Sequence, residues 1–268
     1  MTFKIATWNI NSVRLRINLV ERFLQGVQPD VLCLQEIKCQ DEQFPHEPIK
    51  ALGYDHIHVR GQKAYHGVAT ISRLPFSDQV HRPFCGKDDA RHTQSTIELP
   101  NGPVTIHNFY VPAGGDEPDP VVNEKFDHKL KFLQEMEGWF ANGPNIGRSV
   151  LVGDLNIAPF ENDVWSHKQL LKVVSHTPVE VEHLERVRQA GEWVDVMREH
   201  VPHDEKLYTW WSYRARDWSA ADKGRRLDHI WLSPEIANSC RSVSVLRDVR
   251  GWEPKPSDHA PVVAMLNL

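Results

Sequence analysis

Seven short runs of β-branched and other apolar residues are spaced along the chain, at 3–10, 31–34, 67–72, 103–110, 149–153, 227–232 and 261–266. A chain that keeps returning to buried-type strands must stack them into sheets and cover the outer faces of those sheets. Amphipathic helical patterns lie between the runs. Leu15, Leu19 and Phe23 repeat at i, i+4, i+8, and Phe126, Leu130 and Leu133 at i, i+4, i+7. A looser pattern joins Leu184, Val187, Val194 and Met197, while Pro29-Asp30 and Gly53 mark helix ends. No linker-like stretch divides the chain, and the Gly/Pro cluster at 112–120 reads as one loop, so residues 1–268 are expected to form a single domain. One internal echo stands out. Trp8-Asn9-Ile10-Asn11 closes the first run and Gly153-Asp154-Leu155-Asn156 closes the fifth. It predicts two similar β-rich halves facing each other in a layered α/β sandwich.

Composition excludes several classes. At 40% hydrophobic, the chain can build a sizeable core. It has no apolar run of ~18 residues to span a membrane, and the opening MTFKIATWNI lacks the pattern of a secretion signal. Cys33, Cys39, Cys85 and Cys240 are scattered, with no zinc-ligand spacing, so the expectation is reduced thiols in a cytoplasmic protein without a disulfide framework. The net charge of −5 does not announce a nucleic-acid binder. Locally the balance reverses. Arg214, Arg216, Lys223, Arg225 and Arg226 face only Asp217 and Asp222, next to Trp210, Trp211, Tyr213 and Trp218. Cations interleaved with aromatic faces suit phosphates and bases, although a solvated loop with cation–π pairs has the same composition.

Six apolar stretches run into polar groups: Asn9 and Asn11; Glu36; Asn108 and Tyr110; Asp154 and Asn156; Asp228; Asp258 and His259. Side chains at i and i+2 of a strand point the same way, so continued extended geometry puts Asp154 and Asn156 on one face. Each ending alone is compatible with a capped turn. Six together are costly unless they converge, because buried ionisable groups need partners. Strands of one sheet deliver their ends to a common rim. Carboxylates, amides and one histidine without thiolate form a hard-oxygen site suited to Mg²⁺ or Mn²⁺ and to phosphoryl transfer to water. There is no G-x-S-x-G and no P-loop, and a paired-carboxylate glycosidase has no use for the Asn and His.

TWNINSVR, LCLQEIK, GQKAYHGVA, YVP, GDLNIAP, YTWWSYR, RRLDHIWLS and PSDHAPV occur in an order that resembles the exonuclease III-like AP endonucleases, in the endonuclease/exonuclease/phosphatase superfamily with DNase I. The likeness runs from Trp8 to Val262. It implies a four-layer α/β sandwich, two packed mixed β-sheets flanked by helices, with the site in the cleft between the sheet ends. It further implies Glu36 as the main metal ligand, with Asn9, Asn11 and Asp258 near the metal, and Mg²⁺ as cofactor with Mn²⁺ substituting. Asp154 would handle the attacking water or the leaving oxygen. Asn156 and Tyr110 would donate to the phosphate, and Asp228 would hold His259. Two positions depart from the pattern. Ala113 stands where many relatives have Asn, and Arg225 where relatives present an apolar residue lining the pocket for a base-less sugar, which leaves Trp210 and Leu227 as the apolar wall.

The expected function is Mg²⁺-dependent cleavage of double-stranded DNA 5′ of abasic sites, with 3′→5′ exonuclease and 3′-phosphatase activity at 3′ ends, by a monomer with no membrane partner. Arg60, Lys63 and Tyr65, around the turn glycines Gly61 and Gly67, are candidates for gripping the backbone or wedging into a groove, alongside Arg214, Arg216 and Arg225. Two other readings remain open here: a superfamily phosphoesterase acting on non-DNA phosphoesters, and a non-catalytic DNA-binding or scaffold protein.

Overall fold

The structure is a computed structural model that describes residues 1–143 and 146–268. Its strands, in chain order, are β1 (Thr2–Asn9), β2 (Val31–Gln35), β3 (His56–Arg60), β4 (Val68–Ser72), β5 (Phe76–Val80), β6 (His92–Leu99), β7 (Gly102–Tyr110), β8 (Ser149–Asp154), β9 (Val194–Asp195), β10 (Trp210–Trp211), β11 (Gly224–Arg225), β12 (Asp228–Leu232), β13 (Cys240–Val245) and β14 (Val262–Asn267). Twelve of them build two six-stranded sheets, ordered β13-β14-β1-β2-β4-β3 and β9-β12-β8-β7-β6-β5, while β10 and β11 form a separate ribbon. Read in those directions, both sheets run antiparallel, antiparallel, parallel, antiparallel, antiparallel.

The echo in the sequence is therefore a structural equivalence. β1 occupies the place in its sheet that β8 occupies in the other, β2 matches β7, and β14 matches β12. The same turn follows β1 and β8. Asn11 donates its amide N–H to Asn9 Oδ1 at 3.1 Å, and Asn156 donates to Asp154 Oδ1 at 3.0 Å, each with a left-handed φ of 47° and 55°. Asn and Asp close such turns with their own side chains.

Strand period two sorts the core. Phe3, Ile5, Val31, Cys33, Val104, Ile106, Val150, Val152 and Ile230 meet between the sheets. The outward set Ala6, Trp8, Leu32 and Leu34 packs under the helix Ile17–Val27, through Leu19, Val20, Phe23 and Leu24. On the far side Phe109, Leu151 and Trp231 pack under the helices Glu124–Asn142 and Pro178–Ala190. Helix, sheet, sheet, helix is the four-layer sandwich. The parity that points Phe3 and Ile5 inward also points Asn9 inward, and the same holds for Asp154 after Val150 and Val152 and for Asp228 before Ile230. Beneath them lies a buried polar layer. Gln35 donates to Thr7 Oγ1 at 2.9 Å and to Asn108 Oδ1 at 2.7 Å, and Asn108 donates to the carbonyls of Leu34 and Ala69. Asn108 thus ties the two sheets together rather than facing the rim. Just before Asp154, Gly153 runs so close to β7 that a Cβ there would lie 1.9 Å from the Phe109 carbonyl oxygen.

Several local expectations change. Leu15 lies outside its helix and is exposed. The looser pattern is two elements, because the helix stops at Ala190 and Val194 belongs to β9, whereas Met197 sits in the short helix Val196–His200. All four cysteines are free. No described helix is long and apolar enough to cross a membrane.

Burial of neutral imidazoles gives the fold a pH dependence. Desolvation pushes His58 down to about 4, His107 to about 3 and His229 to about 4, and pushes His92 well below the ordinary 6.5. Below pH 6.5 the unfolded chain takes up protons that the folded chain refuses, so stability is full above that value and falls as the pH drops. Each imidazole costs about 1 kcal/mol by pH 5.5. The urea midpoint should fall clearly between pH 7.5 and 5.5. An unchanged midpoint would mean that groups whose proton affinity folding raises offset the whole penalty on these rings.

Candidate active site

The inward ends of β1, β7, β8 and β12 converge with the turns after β2 and before β14. Asp228, fully buried, accepts from Thr209 Oγ1 at 2.6 Å and pairs with His259 Nδ1 at 2.8 Å. That contact directs the other ring nitrogen, Nε2, toward Asp154, 3.8 Å from its Oδ2. The His259 backbone is held as firmly. Its N–H donates to Ser257 Oγ, Ser257 donates to the Asn9 carbonyl at 2.6 Å, and Trp8 Nε1 donates to the His259 carbonyl.

Burial alone would push His259 down, but the charges of Asp228 and Asp154 overcome it and raise the imidazole to about 10. Asp154 moves up to about 7, first through burial and then through repulsion from Asp228 and Glu36, against the pull of His259 and Asn9. The group therefore presents an imidazolium beside a carboxyl that exchanges its proton near neutrality.

Glu36 lies across from Asp154, and Asn9 spans the two. Asn9 Nδ2 donates to Glu36 Oε1 at 2.9 Å and to Asp154 Oδ2 at 2.8 Å, while its Oδ1 takes the Asn11 N–H. Tyr110 OH donates to Glu36 Oε1 at 3.0 Å, and burial, then Glu36 and Asp154, hold that phenol well above its usual range. Burial would raise Glu36, yet Lys38 and Asn9 lower it, so it stays ionised. The Lys38 ammonium lies 2.7 Å from Glu36 Oε2 and 2.6 Å from Asn11 Oδ1. A carboxylate and a carboxamide oxygen with no thiolate are hard donors of the kind a Mg²⁺-like cation takes, and here the Lys38 ammonium lies against them. Asp258 completes the rim, accepting from Asn11 Nδ2 at 3.0 Å and Trp210 Nε1 at 2.9 Å. Asp154, Asp228 and His259 also bring ligand atoms within 4.8 Å of one another. His259 Nδ1 is already engaged by Asp228, and the oxygens around Glu36 are a second set that could hold a cation.

Asn156 does not continue the strand. Its left-handed φ turns the side chain away from the Asp154 face, and Nδ2 donates to the Val111 carbonyl at 2.9 Å. A cleft of about 840 Å³ opens over Glu36, Asn156, Asp258 and His259, walled by Trp210, Leu227, Arg225, Arg214 and Arg216. Arg225 forms part of that wall. Its Nη1 donates to the Val174 carbonyl at 3.0 Å and Ser175 Oγ at 2.7 Å, and its guanidinium lies 5.3 Å from the Trp210 ring centre.

The remaining cations divide. Arg226 is fully buried between Asp163 and Asp195 and takes no part in the basic surface. Arg60 pairs with Asp88, at the base of the turn that exposes Lys63 and Tyr65. That turn reaches the site through tilted ring contacts, Tyr65 to His66 and His66 to Tyr110, with centroids 6.1 and 6.0 Å apart. Lys38, Thr209, Ser257 and Arg91, whose guanidinium lies 5.0 Å from the Tyr110 ring centre, escaped the sequence reading. Lys38, Thr209 and Ser257 each stand inside a quoted motif, LCLQEIK, YTWWSYR and PSDHAPV, whereas Arg91 lies in none of them.

A family description, endonuclease/exonuclease/phosphatase, matches residues 6–259. The chain belongs to this family. It is 32% identical over 271 residues to exodeoxyribonuclease III of Haemophilus influenzae, covering 97% of this chain and 98% of that one. Among solved structures, an AP endonuclease from Archaeoglobus fulgidus superposes with a TM-score of 0.89 at 30% identity, covering 99% and 100% of the two chains. The 3′ phosphatase NExo from Neisseria, bound to a product DNA hairpin, gives the same TM-score at 29% identity and the same coverage.

Proposed function

We propose that the chain is a Mg²⁺-dependent DNA-repair phosphodiesterase that cleaves 5′ of abasic sites, leaving a 3′-hydroxyl, and also trims 3′ ends as a 3′→5′ exonuclease and 3′-phosphatase. The observation that carries this reading is the pairing of the Asp228–His259–Asp154 group with the Glu36 oxygen set on the floor of a cation- and tryptophan-lined cleft. Exonuclease III, AP endonuclease and 3′ phosphatase relatives of matching length point the same way. The work is done by a monomer in the cytoplasm on double-stranded DNA.

In this mechanism the phosphate enters above Glu36. His259 donates from Nε2 to a non-bridging oxygen, with Asp228 fixing the tautomer and offsetting the charge. Asp154 exchanges a proton with the attacking water or the leaving oxygen. Asn156 donates to the phosphate through the second N–H of Nδ2, and Tyr110 through its hydroxyl, which must then leave Glu36. Glu36, Asn11 and Asp258, with Asn9 aligning the acids, would hold Mg²⁺, which supplies Lewis-acid charge against the phosphate. Lys63, Arg214, Arg216 and Arg225 meet the polyanion, and Tyr65 lies against a groove.

If about four phosphates are contacted, affinity for an abasic duplex should drop about 100-fold between 50 and 200 mM salt. Equal turnover of a small phosphomonoester, with no salt dependence, would favour the non-DNA reading. Arg225 sets the balance of activities. Its stem packs on Trp210 and its guanidinium narrows the pocket for a bare sugar. Arg225→Leu should shift the ratio of abasic cleavage to 3′-end removal about tenfold toward the former, the effect of one contact worth ~1.4 kcal/mol. A parallel fall in both rates, at constant ratio, would reduce Arg225 to one more surface charge.

A further inference from the structure

Behind the cleft lies a charge pair for which the mechanism above has no use. Lys129, on the inner face of the helix Glu124–Asn142, is fully buried, and its ammonium lies 2.5 Å from Glu180 Oε1, also fully buried. Glu180 has a local explanation. It is the third residue of the helix Pro178–Ala190 and closes the capping box with Thr177. Lys129 has none of that kind. An apolar residue would fill its place more cheaply, since buried ion pairs seldom add net stability.

The contacts of the pair all run to the back of the site. Lys129 Nζ donates to the Asn156 carbonyl at 2.8 Å and to the Ala113 carbonyl at 3.3 Å. These are the turn after Asp154 and the loop after Tyr110-Val111-Pro112. Glu180 accepts from Ser175 N at 2.9 Å and from Thr177 N and Oγ1. Ser175 belongs to the segment on which Arg225 rests, and its carbonyl takes the Ala158 N–H at 2.7 Å. Gly114 leaves the space this needs, because a Cβ there would lie 2.9 Å from Lys129 Cδ and 3.1 Å from Val174 Cγ1. Three loops that share no strand thus meet at one ammonium and one carboxylate.

We propose that Lys129 and Glu180 are positioning residues, a buried ion pair that locks the Asn156 turn and the Arg225-bearing pocket wall into one rigid unit. Asn156 sits in a left-handed turn held by two side-chain bonds and this ammonium, so loosening the carbonyl lets its carboxamide drift from the phosphate. A misplacement of about 1 Å can cost about 100-fold in rate. The role rests on the nuclease reading given above.

The test uses the full-length chain with Lys129→Met/Glu180→Gln, which removes both charges together and so avoids stranding one of them. A second variant, Glu180→Gln, keeps the side-chain volume and one acceptor oxygen for the amine while weakening the bonds to Ser175 and Thr177. Urea midpoints, kcat and KM are measured on an abasic duplex and on a duplex ending in a 3′-phosphate. In the double variant kcat on the abasic duplex should fall about tenfold or more, with KM changed less than about threefold. Glu180→Gln should shift the ratio of the two activities by at least about threefold, because Ser175 and Thr177 lose a carboxylate acceptor. If the double variant does not fold, the Glu180→Gln ratio decides. A folded variant of either kind with wild-type kcat and wild-type ratio overturns the proposal, even if its urea midpoint is lower. Wild-type protein that cuts neither duplex would instead remove the nuclease reading.

Discussion

Replacing Asp154 with asparagine should lower kcat by about 10²–10⁴-fold, the usual contribution of a positioned proton-transfer group. Duplex affinity should hold or rise, because the change removes a negative charge near the phosphate. The expectation follows from the position of the carboxyl. Asp154 is 1% exposed, its proton affinity is raised to about 7, and its Oδ2 faces both Asn9 Nδ2 and His259 Nε2. An amide fills the same space and cannot exchange a proton. Single-turnover cleavage combined with fluorescence anisotropy on a labelled abasic duplex separates the two effects. Loss of binding at unchanged single-turnover rate would assign Asp154 to recognition instead.

The second large effect concerns Glu36. Chelation with excess EDTA should abolish cleavage, and either Mg²⁺ or Mn²⁺ should restore it, since the donors around Glu36 are oxygens without a thiolate. Glu36→Gln should lose the rise in thermal midpoint that Mg²⁺ gives the wild type, a linkage measurement independent of turnover. Freed from Glu36, Lys38 would keep its contact with Asn11 Oδ1, so the variant should stay folded. An undiminished Mg²⁺ shift in Glu36→Gln would move the cation elsewhere, with the Asp154 and Asp228 carboxylates the next place to look.

Much of this architecture was legible because strand parity is a local property. The alternation that buries Ile5 and Val152 carries Asn9 and Asp154 to the same cleft, and the echo between the two sequences marked the equivalent strands before any pairing was known. The turn after Asp154 was legible only as the alternative to continued extension. The strand rule put Asn156 on the face of Asp154, whereas its positive φ swings it toward Val111, and a side-chain-closed turn competes with extended backbone over the span of two residues. β6 was missed because its buried positions include His92, Thr93 and Ser95, so no apolar pattern announces it. Arg226 looked like one of a cluster of surface cations; its partners Asp163 and Asp195 lie more than thirty positions away, beyond any local reading. Thr209 and Ser257 hold Asp228 and His259 through single hydroxyls, and the chemistry of a Thr or a Ser alone does not distinguish such a role from a solvated one.

The most direct measurement is cleavage of one end-labelled duplex carrying a single abasic-site analogue, resolved on a denaturing gel with and without Mg²⁺. The account predicts one cut on the 5′ side of the lesion, present only with the metal, leaving a 3′-hydroxyl that a DNA polymerase extends. An intact strand in the presence of Mg²⁺, or equal cleavage in excess EDTA, would contradict it.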